Sequence, residues 1–354
     1  MPGKNNIRKI LILLFIAPFF ATGNDSAKDF DVKELIFEHL GDGYGWHITS
    51  WGDREISIPL PVIVMSKQSG WHVFLSSHLG HGGDEYRGFH IAHEGQYAGK
   101  IVEKDATGEE IRPAIDISLT KNAAAAMVSC IVLLLVIMPL ANWYKKGTMK
   151  PAKGFRGAVE ILLTDIQDNI IKTCVGEDYK RYSPYLLTAF FFIFINNLLG
   201  LIPLFPGGAN VTGNIAVTLF MALCTFITVN VFGTKEYWKE IIWPEVPVWL
   251  KVPAPIMPVI EFFGIFTKPF ALTIRLFANI LAGHAVLLGL FCLIFITASM
   301  GAAIHTGMSV AAICFTVFMT CIEILVAYIQ AYVFTLLSSL FIGLSRVKHK
   351  THTQ

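Results

Sequence analysis

The stretch Phe270-Ala-Leu-Thr-Ile-Arg275-Leu-Phe-Ala-Asn279-Ile-Leu-Ala-Gly-His284 places an arginine inside a long apolar run. No acidic residue lies within eight positions of Arg275 on either side. A guanidinium does not lose its proton, and at the centre of a bilayer it costs at least about 3 kcal/mol. Arg275 lies about 20 positions from either end of the run, roughly 30 Å along a helix, which is too deep for the side chain to reach the headgroups. It therefore indicates a compensating cavity, counter-charge or partner subunit, and with it an ion pathway.

The composition is that of an integral membrane protein. Of the 354 residues, 54% are apolar and 15% are charged, and the mean hydropathy is +0.56. All six cysteines follow residue 120, which excludes a disulfide framework in the first third of the chain. Because no phosphate-binding loop, nucleophile triad or metal motif is present, we expect no cofactor, no bound metal and no nucleic-acid partner.

The N-terminus predicts a secretory signal peptide over residues 1–23. Lys4, Arg8 and Lys9 precede an apolar core at 10–20, and the small residues 21–23 follow it. The core is too short to span a bilayer; an uncleaved anchor is the alternative interpretation. Residues 24–120 would then be an exported, periplasmic segment.

Alternating apolar residues at 49–65 and 71–76 predict β-strands in that exported segment. It also holds seven of the eleven histidines, including His78, His81, His90 and His93. Their spacings could serve zinc, but the glycine-rich context favours a solvated loop.

The remaining residues predict an all-α membrane domain at 121–345 and a cytoplasmic tail at 346–354. Five apolar spans are expected, at 123–143, 186–204, 215–232, 257–298 and 303–345. Residues 155–171 are amphipathic and predict a helix on the cytoplasmic membrane surface. The loops rich in lysine and arginine lie on one side, so the N-terminal segment is expected outside and the C-terminus inside.

The last two apolar runs predict a hairpin of two long helices. About 42 helical residues reach roughly 63 Å, twice the hydrocarbon thickness. Because nothing near Arg275 or Glu323 resembles a loop, the sequence favours unbroken, strongly tilted helices over broken ones. With a turn near 302–304, Arg275 lies opposite Gln330 and His284 opposite Glu323.

This register predicts a polar line of His284, Glu323, Gln330 and Asn279 close to a fixed positive charge. For Gln330 and Asn279 alone, interhelical hydrogen bonding is the simpler interpretation. His284 and Glu323 are two titratable groups at one membrane depth, which favours a proton relay.

Three motifs in the chain resemble those of subunit a of the F-type ATP synthase. They are Lys268-Pro269-x5-Arg275-Leu-Phe-x-Asn279-x3-Gly283, Glu323-x6-Gln330-Ala-Tyr-Val-Phe and Asn197-Leu-Leu-Gly-Leu-Ile-Pro203. The resemblance covers residues 30–345, and the three motifs together are very specific.

The resemblance implies roles for single residues. Arg275 would face the rotating c-ring, Glu261 would belong to the inner half-channel, and Asn279 and Gln330 would serve the outer path and support the arginine. Many bacterial members have Glu at the position of His284 and His at that of Glu323, so the couple is exchanged here. Gly200 replaces an acidic residue of some members and offers no carboxylate to the outer path.

The resemblance also implies a non-catalytic stator subunit in a bacterial inner membrane. Its partners would be the c-ring, the b-subunit stalk, the F1 sector indirectly, and lipid. The coupling ion is a proton or a sodium ion, since the ring carboxylates that select it lie on another chain.

Two other classes of protein compete with this interpretation. A self-contained secondary transporter would use Arg275 for an anionic substrate, but it would favour inverted repeats, and the spans here are of unequal length. An intramembrane metalloenzyme using His284 and Glu323 would lack further ligands.

Overall fold

The computed structural model describes eleven stretches of the chain, and they form two compact units. The stretches are 41–51, 54–66, 70–79, 85–92, 96–97, 99–104, 110–147, 151–202, 210–242, 256–297 and 301–346. One unit contains the described residues up to Lys121 together with Phe291–Ala312, and the other contains Asn122–Leu290 and the described residues from Ile313 onward. The predicted signal peptide lies outside the described residues.

The first unit contains eight short strands. They are β1 (Gly45–Trp51), β2 (Arg54–Pro59), β3 (Pro61–Ser66), β4 (Gly70–Leu75), β5 (Phe89–Ile91), β6 (Ile101–Lys104), β7 (Glu110–Ile111) and β8 (Ile115–Asp116). All pairings are antiparallel, in the orders β1-β2, β4-β3-β8 and β5-β6-β7. The predicted β-rich character of this segment is therefore confirmed.

Alternation along β3 and β4 forms the core of this unit. Val62, Val64 and Phe74 point to one face of the sheet and pack with Phe89 and Ile101. At the edge, the hydroxyl of Tyr44 donates to Asp116 Oδ2 over 2.8 Å. Burial, followed by the hydrogen bond to Asp116, raises the pKa of Tyr44 above its usual range.

The second unit is helical. Its helices are α1 (Lys121–Lys145), α2 (Phe155–Asp165), α3 (Lys172–Val175), α4 (Tyr179–Gly200), α5 (Ile215–Val231), α6 (Lys235–Ile242), α7 (Ile256–Thr297) and α8 (Ala302–Arg346), the last two of which also pass through the first unit. A π-helical turn at Ile166–Ile171 and a 3-10 turn at Gly176–Asp178 connect α2, α3 and α4. The observed architecture is therefore mostly helical, with β-structure near the N-terminus, as predicted.

Four helices among the described residues are long and apolar enough to cross a membrane. They are Lys121–Lys145, the helical stretch Phe155–Gly200, Val259–Ile294 and Ile304–Arg346. The predicted span at 215–232 is a helix of 17 residues, and it makes a fifth span when counted with α6, from which it is bent by 97°. The five predicted spans therefore correspond to four or five in the structure.

The amphipathic segment at 155–171 buries its apolar face in the protein. Val159, Ile166 and Ile170 lie in the same core cluster as Phe190 of α4 and Ala331 of α8. Asp168, on the opposite face, is exposed. Gly176, with φ 74°, then separates this segment from α4.

Helices α7 and α8 are unbroken over 42 and 45 residues, as predicted. Their antiparallel register is set by contacts at three levels. Lys268 Nζ lies 5.5 Å from the ring centre of Phe341, Gln330 Nε2 donates to the backbone oxygen of Arg275 over 2.6 Å, and Gly283 faces Glu323. Because α7 ends at Thr297 and α8 begins at Ala302, the turn falls slightly before the predicted 302–304.

Close backbone contact holds the C-terminal third of α8. A side chain at Gly343 would collide with the carbonyl group of Cys174. Arg346 binds Asp178 Oδ2 through Nε at 2.9 Å and Nη2 at 2.5 Å, and it donates to the backbone oxygen of Phe232 over 3.0 Å. This end of α8 is thereby joined to the turn before α4 and to the end of α5.

We expect Gly343→Ala to destabilise the protein, because the new methyl group would meet a backbone atom that cannot move away alone. Overpacking of this kind costs about 1–3 kcal/mol, which lowers the apparent melting temperature of the purified protein by several degrees. Gly289→Ala is the matched control, since nothing lies within 4 Å of a Cβ there. Equal melting temperatures for the two variants would contradict the close contact.

Candidate functional site

Arg275 lies near the middle of α7 with its side chain exposed. Its neighbours Leu272 and Leu276 are buried in the core cluster, so α7 packs through them and turns the guanidinium outward. Within the described part of the chain, the salt bridges involve other residues and no carboxylate pairs with this guanidinium. The compensating group that the sequence requires therefore lies in no described residue of this chain.

Gln330 is fixed at the level of Arg275 but contacts its backbone. The side-chain nitrogen donates to the Arg275 carbonyl over 2.6 Å, and Gln330 is only 6% exposed. The predicted pairing of these two positions across the hairpin is therefore present. It joins α7 to α8 through the backbone of Arg275, and the side chain of Arg275 stays exposed.

A cavity of about 240 Å³ lies on the C-terminal side of Arg275 in α7, between α4, α7 and α8. Its polar wall brings together residues that are far apart in the sequence: Asn196, Asn197, Asn210, Thr212, Asn279, His284 and Glu323. The cavity is large enough for several water molecules, and its amide, hydroxyl, imidazole and carboxylate groups can hydrogen-bond to them.

Glu323 is buried against this cavity. It is 9% exposed, and within the described part of the chain neither of its carboxylate oxygens has a hydrogen-bond partner. A Cβ built on Gly283 would lie 2.6 Å from Glu323 Oε1, so the absence of a side chain at Gly283 makes room for the carboxylate. A buried carboxylate with no partner is costly, which favours water in the cavity or a proton on the acid.

His284 and Asn279 line the same cavity, so the structure brings together three of the predicted site residues. No hydrogen bond joins Glu323 to His284, because both carboxylate oxygens lack partners. Gly283 is the residue of α7 that faces the acid, one position earlier than the predicted register. One residue corresponds to a rotation of about 100° around the helix.

A buried polar network at the C-terminal end of α4 contains residues to which the sequence analysis assigns no role. Thr212 donates to Asn197 Oδ1 over 2.6 Å, and Asn197 Nδ2 donates to the Ala327 carbonyl over 3.4 Å. Two adjacent asparagines within an apolar span were the available signal. Gly200, expected to offer no carboxylate to the path, also lines the cavity.

Glu261 lies apart from this cavity, 14 residues before Arg275, or about 21 Å along α7. It is half-buried. Among the described residues, Glu261 forms no salt bridge with Lys268, whose ammonium lies over the ring of Phe341. A second, much smaller cavity of about 20 Å³ is lined by Tyr237, Lys268 and Phe341.

Three histidines of the first unit make separate contacts. His90 Nε2 lies 2.9 Å from Glu110 Oε1, His78 stacks on Tyr86, and His72 packs edge-on against Phe89. His81 and His93 lie outside the described residues. Among the residues that are described, no group of three or more His, Cys, Asp or Glu side chains could hold a metal ion.

Comparison with known proteins divides the chain at about residue 124. Residues 124–343 match the family described as ATP synthase A chain, and residues 35–124 match a domain of unknown function, DUF8433. The second match coincides with the β-containing unit and assigns no role to it.

The curated relatives are similar over most of the chain. ATP synthase subunit a of Chloroherpeton thalassium is 41% identical over 244 residues, covering 67% of this chain and 69% of the relative. The subunit a of Chlorobium phaeobacteroides is 39% identical over 306 residues, covering 82% and 85%. That of an Anaeromyxobacter species is 33% identical over 345 residues, covering 94% and 75%. With its membrane-crossing helices, the chain therefore belongs to the ATP synthase subunit a family and is a multi-pass membrane protein.

Proposed function

We propose that this chain is the proton-conducting stator subunit of an ATP synthase membrane sector, Fo. The observation that carries the proposal is the outward-facing Arg275, unpaired within the described chain, at the middle of an apolar helix beside a polar cavity. Its partners would be a c-ring, the b-subunit stalk and, indirectly, F1. The chain itself would be non-catalytic, and F1 would hold the nucleotide sites.

Arg275 serves as the fixed charge that meets the ring. An ionised carboxylate on a rotating partner is attracted to the guanidinium, which favours its charged form by opposite charge. The same charge repels protons and so prevents a direct leak across the membrane. Large apolar side chains near it, such as Phe270 and Ile274, are exposed and suit a lipid-embedded partner helix.

The cavity serves as the outer half-channel. Protons entering from the periplasm would pass His284, Glu323 and Asn279 and neutralise the ring carboxylate. The unpartnered Glu323 and the imidazole of His284 share one cavity, so water in it could carry protons between them. The neutral ring carboxyl can then rotate through lipid, which an ionised one cannot do at acceptable cost.

Glu261 serves the inner half-channel. It lies near the N-terminal end of α7, which in the sequence follows a stretch, 235–255, that contains three lysines. The positive-inside rule makes that end cytoplasmic, with residues 24–120 periplasmic after signal cleavage and 346–354 cytoplasmic. Each proton that crosses contributes about 2.3 kcal/mol per 100 mV, which rotation delivers to F1.

We expect Arg275→Ala to reduce ATP-driven proton pumping in inverted vesicles to less than about one tenth of wild type, with the complex still assembled. The change removes a charge from an exposed surface and leaves the core volume unchanged. Arg275→Lys should also fail, because an ammonium differs in reach and loses its proton more readily when desolvated. Arg156→Ala, a surface arginine near Trp143, is the control that should pump normally. Wild-type pumping by Arg275→Ala would refute the proposed role.

His284 and Glu323 should behave as a unit. His284→Glu alone and Glu323→His alone are each expected to impair pumping several-fold, and the double exchange to recover part of it, because the relay needs one imidazole and one carboxylate. The measurement is proton pumping in all three variants. A double variant no better than the worse single variant would count against the coupling.

Gly283→Ala should impair pumping at least about tenfold, because the added methyl group would collide with Glu323 Oε1 and displace the carboxylate from its place. Gly289→Ala, six residues later on α7 and without a close neighbour, should pump normally. If both variants pump equally, the position of the Glu323 carboxylate does not limit the path.

Labelling should separate the two half-channels. In a cysteine-free background, cysteines at 260–264 should react with a water-soluble thiol reagent from the cytoplasmic side, and those at 279–284 from the periplasmic side. Reversed sidedness would overturn the topology and the two-channel mechanism together. If the first group reacts from neither side, Glu261 only caps the base of the hairpin.

A further inference from the structure

One face of the β4-β3-β8 sheet is apolar and open, although the other face is packed. Residues directly opposite each other in an antiparallel pair point to the same face. Met65 pairs with Trp71 on one side and with Ile115 on the other. Ile63 pairs with Val73, and its carbonyl accepts a hydrogen bond from the amide of Ile117. These six residues, Ile63, Met65, Trp71, Val73, Ile115 and Ile117, form what we call the outer sheet face.

The outer sheet face is too exposed to be part of the protein core. Trp71, Val73 and Ile117 are 56%, 66% and 61% exposed. Single exposed apolar side chains are ordinary, but contiguous ones across three strands mark a surface that contacts something other than water. The residues that alternate with them on β3 and β4, such as Val62 and Phe74, are buried in the unit's own core.

The position of this face in the chain indicates what covers it. Beyond β8, the backbone still bonds to β3, from Ile117 to Ile63 and from Leu119 to Pro61, each over 3.0 Å, and the amide of Lys121 bonds to Gly43 over 2.8 Å. Lys121 is the first residue of α1, which is long and apolar enough to cross a membrane. Four residues reach at most about 14 Å, so Ile117 lies within that distance of the start of a membrane span.

We propose that the outer sheet face lies in the lipid surface of the membrane that α1 crosses. Tryptophan is favoured at the membrane–water interface, and an apolar face of this size enters the headgroup boundary by about 5–10 Å. A stable contact with a second copy would need about 20–30 residues a side, far more than this face offers. The β unit would then lie against the bilayer. The inference needs only that α1 spans the membrane, so it is independent of the proposed proton path.

The test uses the full chain in lipid nanodiscs, in a cysteine-free background. A small environment-sensitive fluorophore is attached to a single cysteine that replaces Val73 or Ile117. The matched control carries the cysteine at the exposed Lys104 of the β5-β6-β7 sheet. Emission is recorded with a spin-labelled phospholipid in the nanodisc and, separately, with iodide in the buffer. The fluorophores at positions 73 and 117 would lie about 5–10 Å deep in the lipid surface. We therefore expect the spin-labelled lipid to quench them at least about twofold more strongly than the fluorophore at position 104. Iodide should quench the fluorophore at position 104 more strongly than the other two.

Two other outcomes would overturn the proposal. Quenching of all three positions by iodide alone would mean that the face is open to water. Protection of positions 73 and 117 from both quenchers would mean that a protein covers the face. A second measurement needs no label. The difference in tryptophan emission between the wild-type chain and Trp71→Phe gives the contribution of Trp71, and it is measured in ordinary and in brominated lipid. Quenching of this contribution by brominated lipid supports the proposal, and its absence refutes the proposal.

Discussion

The contact between helices α7 and α8 is the constraint on which the rest of the membrane unit depends. A side-chain amide, Gln330, bonds to a backbone carbonyl, that of Arg275, and this bond sets the helices in register at the middle of the hairpin. Since the two helices are unbroken, a register set at one level holds for several turns on either side. It brings Gly283 to Glu323 on one side of the bond and Lys268 to Phe341 on the other. A slip of one residue would rotate each of these groups away by about 100°.

Hydroxyl-bearing residues lie where α8 packs against α5 and where α5 packs against α4. Ser338, Ser339 and Thr335 on α8 are fully buried, and Ser338 lies 3.3 Å from the hydroxyl of Thr225, which in turn bonds to Tyr185 over 2.8 Å. In a membrane there is little hydrophobic gain from burying leucine against leucine, so close approach and interhelical hydrogen bonds supply the association.

Glu323 and Arg275, two ionisable groups of the hairpin, differ in how the structure accommodates them. Glu323 is buried and faces a cavity walled by amides and hydroxyls, where water can supply the missing hydrogen bonds. Arg275 faces outward, and no described carboxylate of this chain pairs with it. The proposed function rests on this arrangement, an outward-facing charge beside a polar cavity that contains a buried acid.

The sequence alone predicts five spans, where the structure has four or five. It also predicts an integral membrane protein, a β-rich first unit, the two long unbroken helices α7 and α8 and the isolated charge at Arg275. These follow from composition and periodicity, which depend on neighbours in the chain. The tertiary structure decided which residue faces which. Gly283 rather than His284 stands against Glu323, Asn196 and Thr212 complete the cavity wall, and the apolar face of 155–171 is covered by the core. The rotation of a long helix about its axis is set by packing against other helices, and an apolar alternation in a strand does not say which of its two faces is covered. Local sequence patterns contain no such information. Tertiary packing places the cavity beside the buried acid and leaves the outer sheet face open.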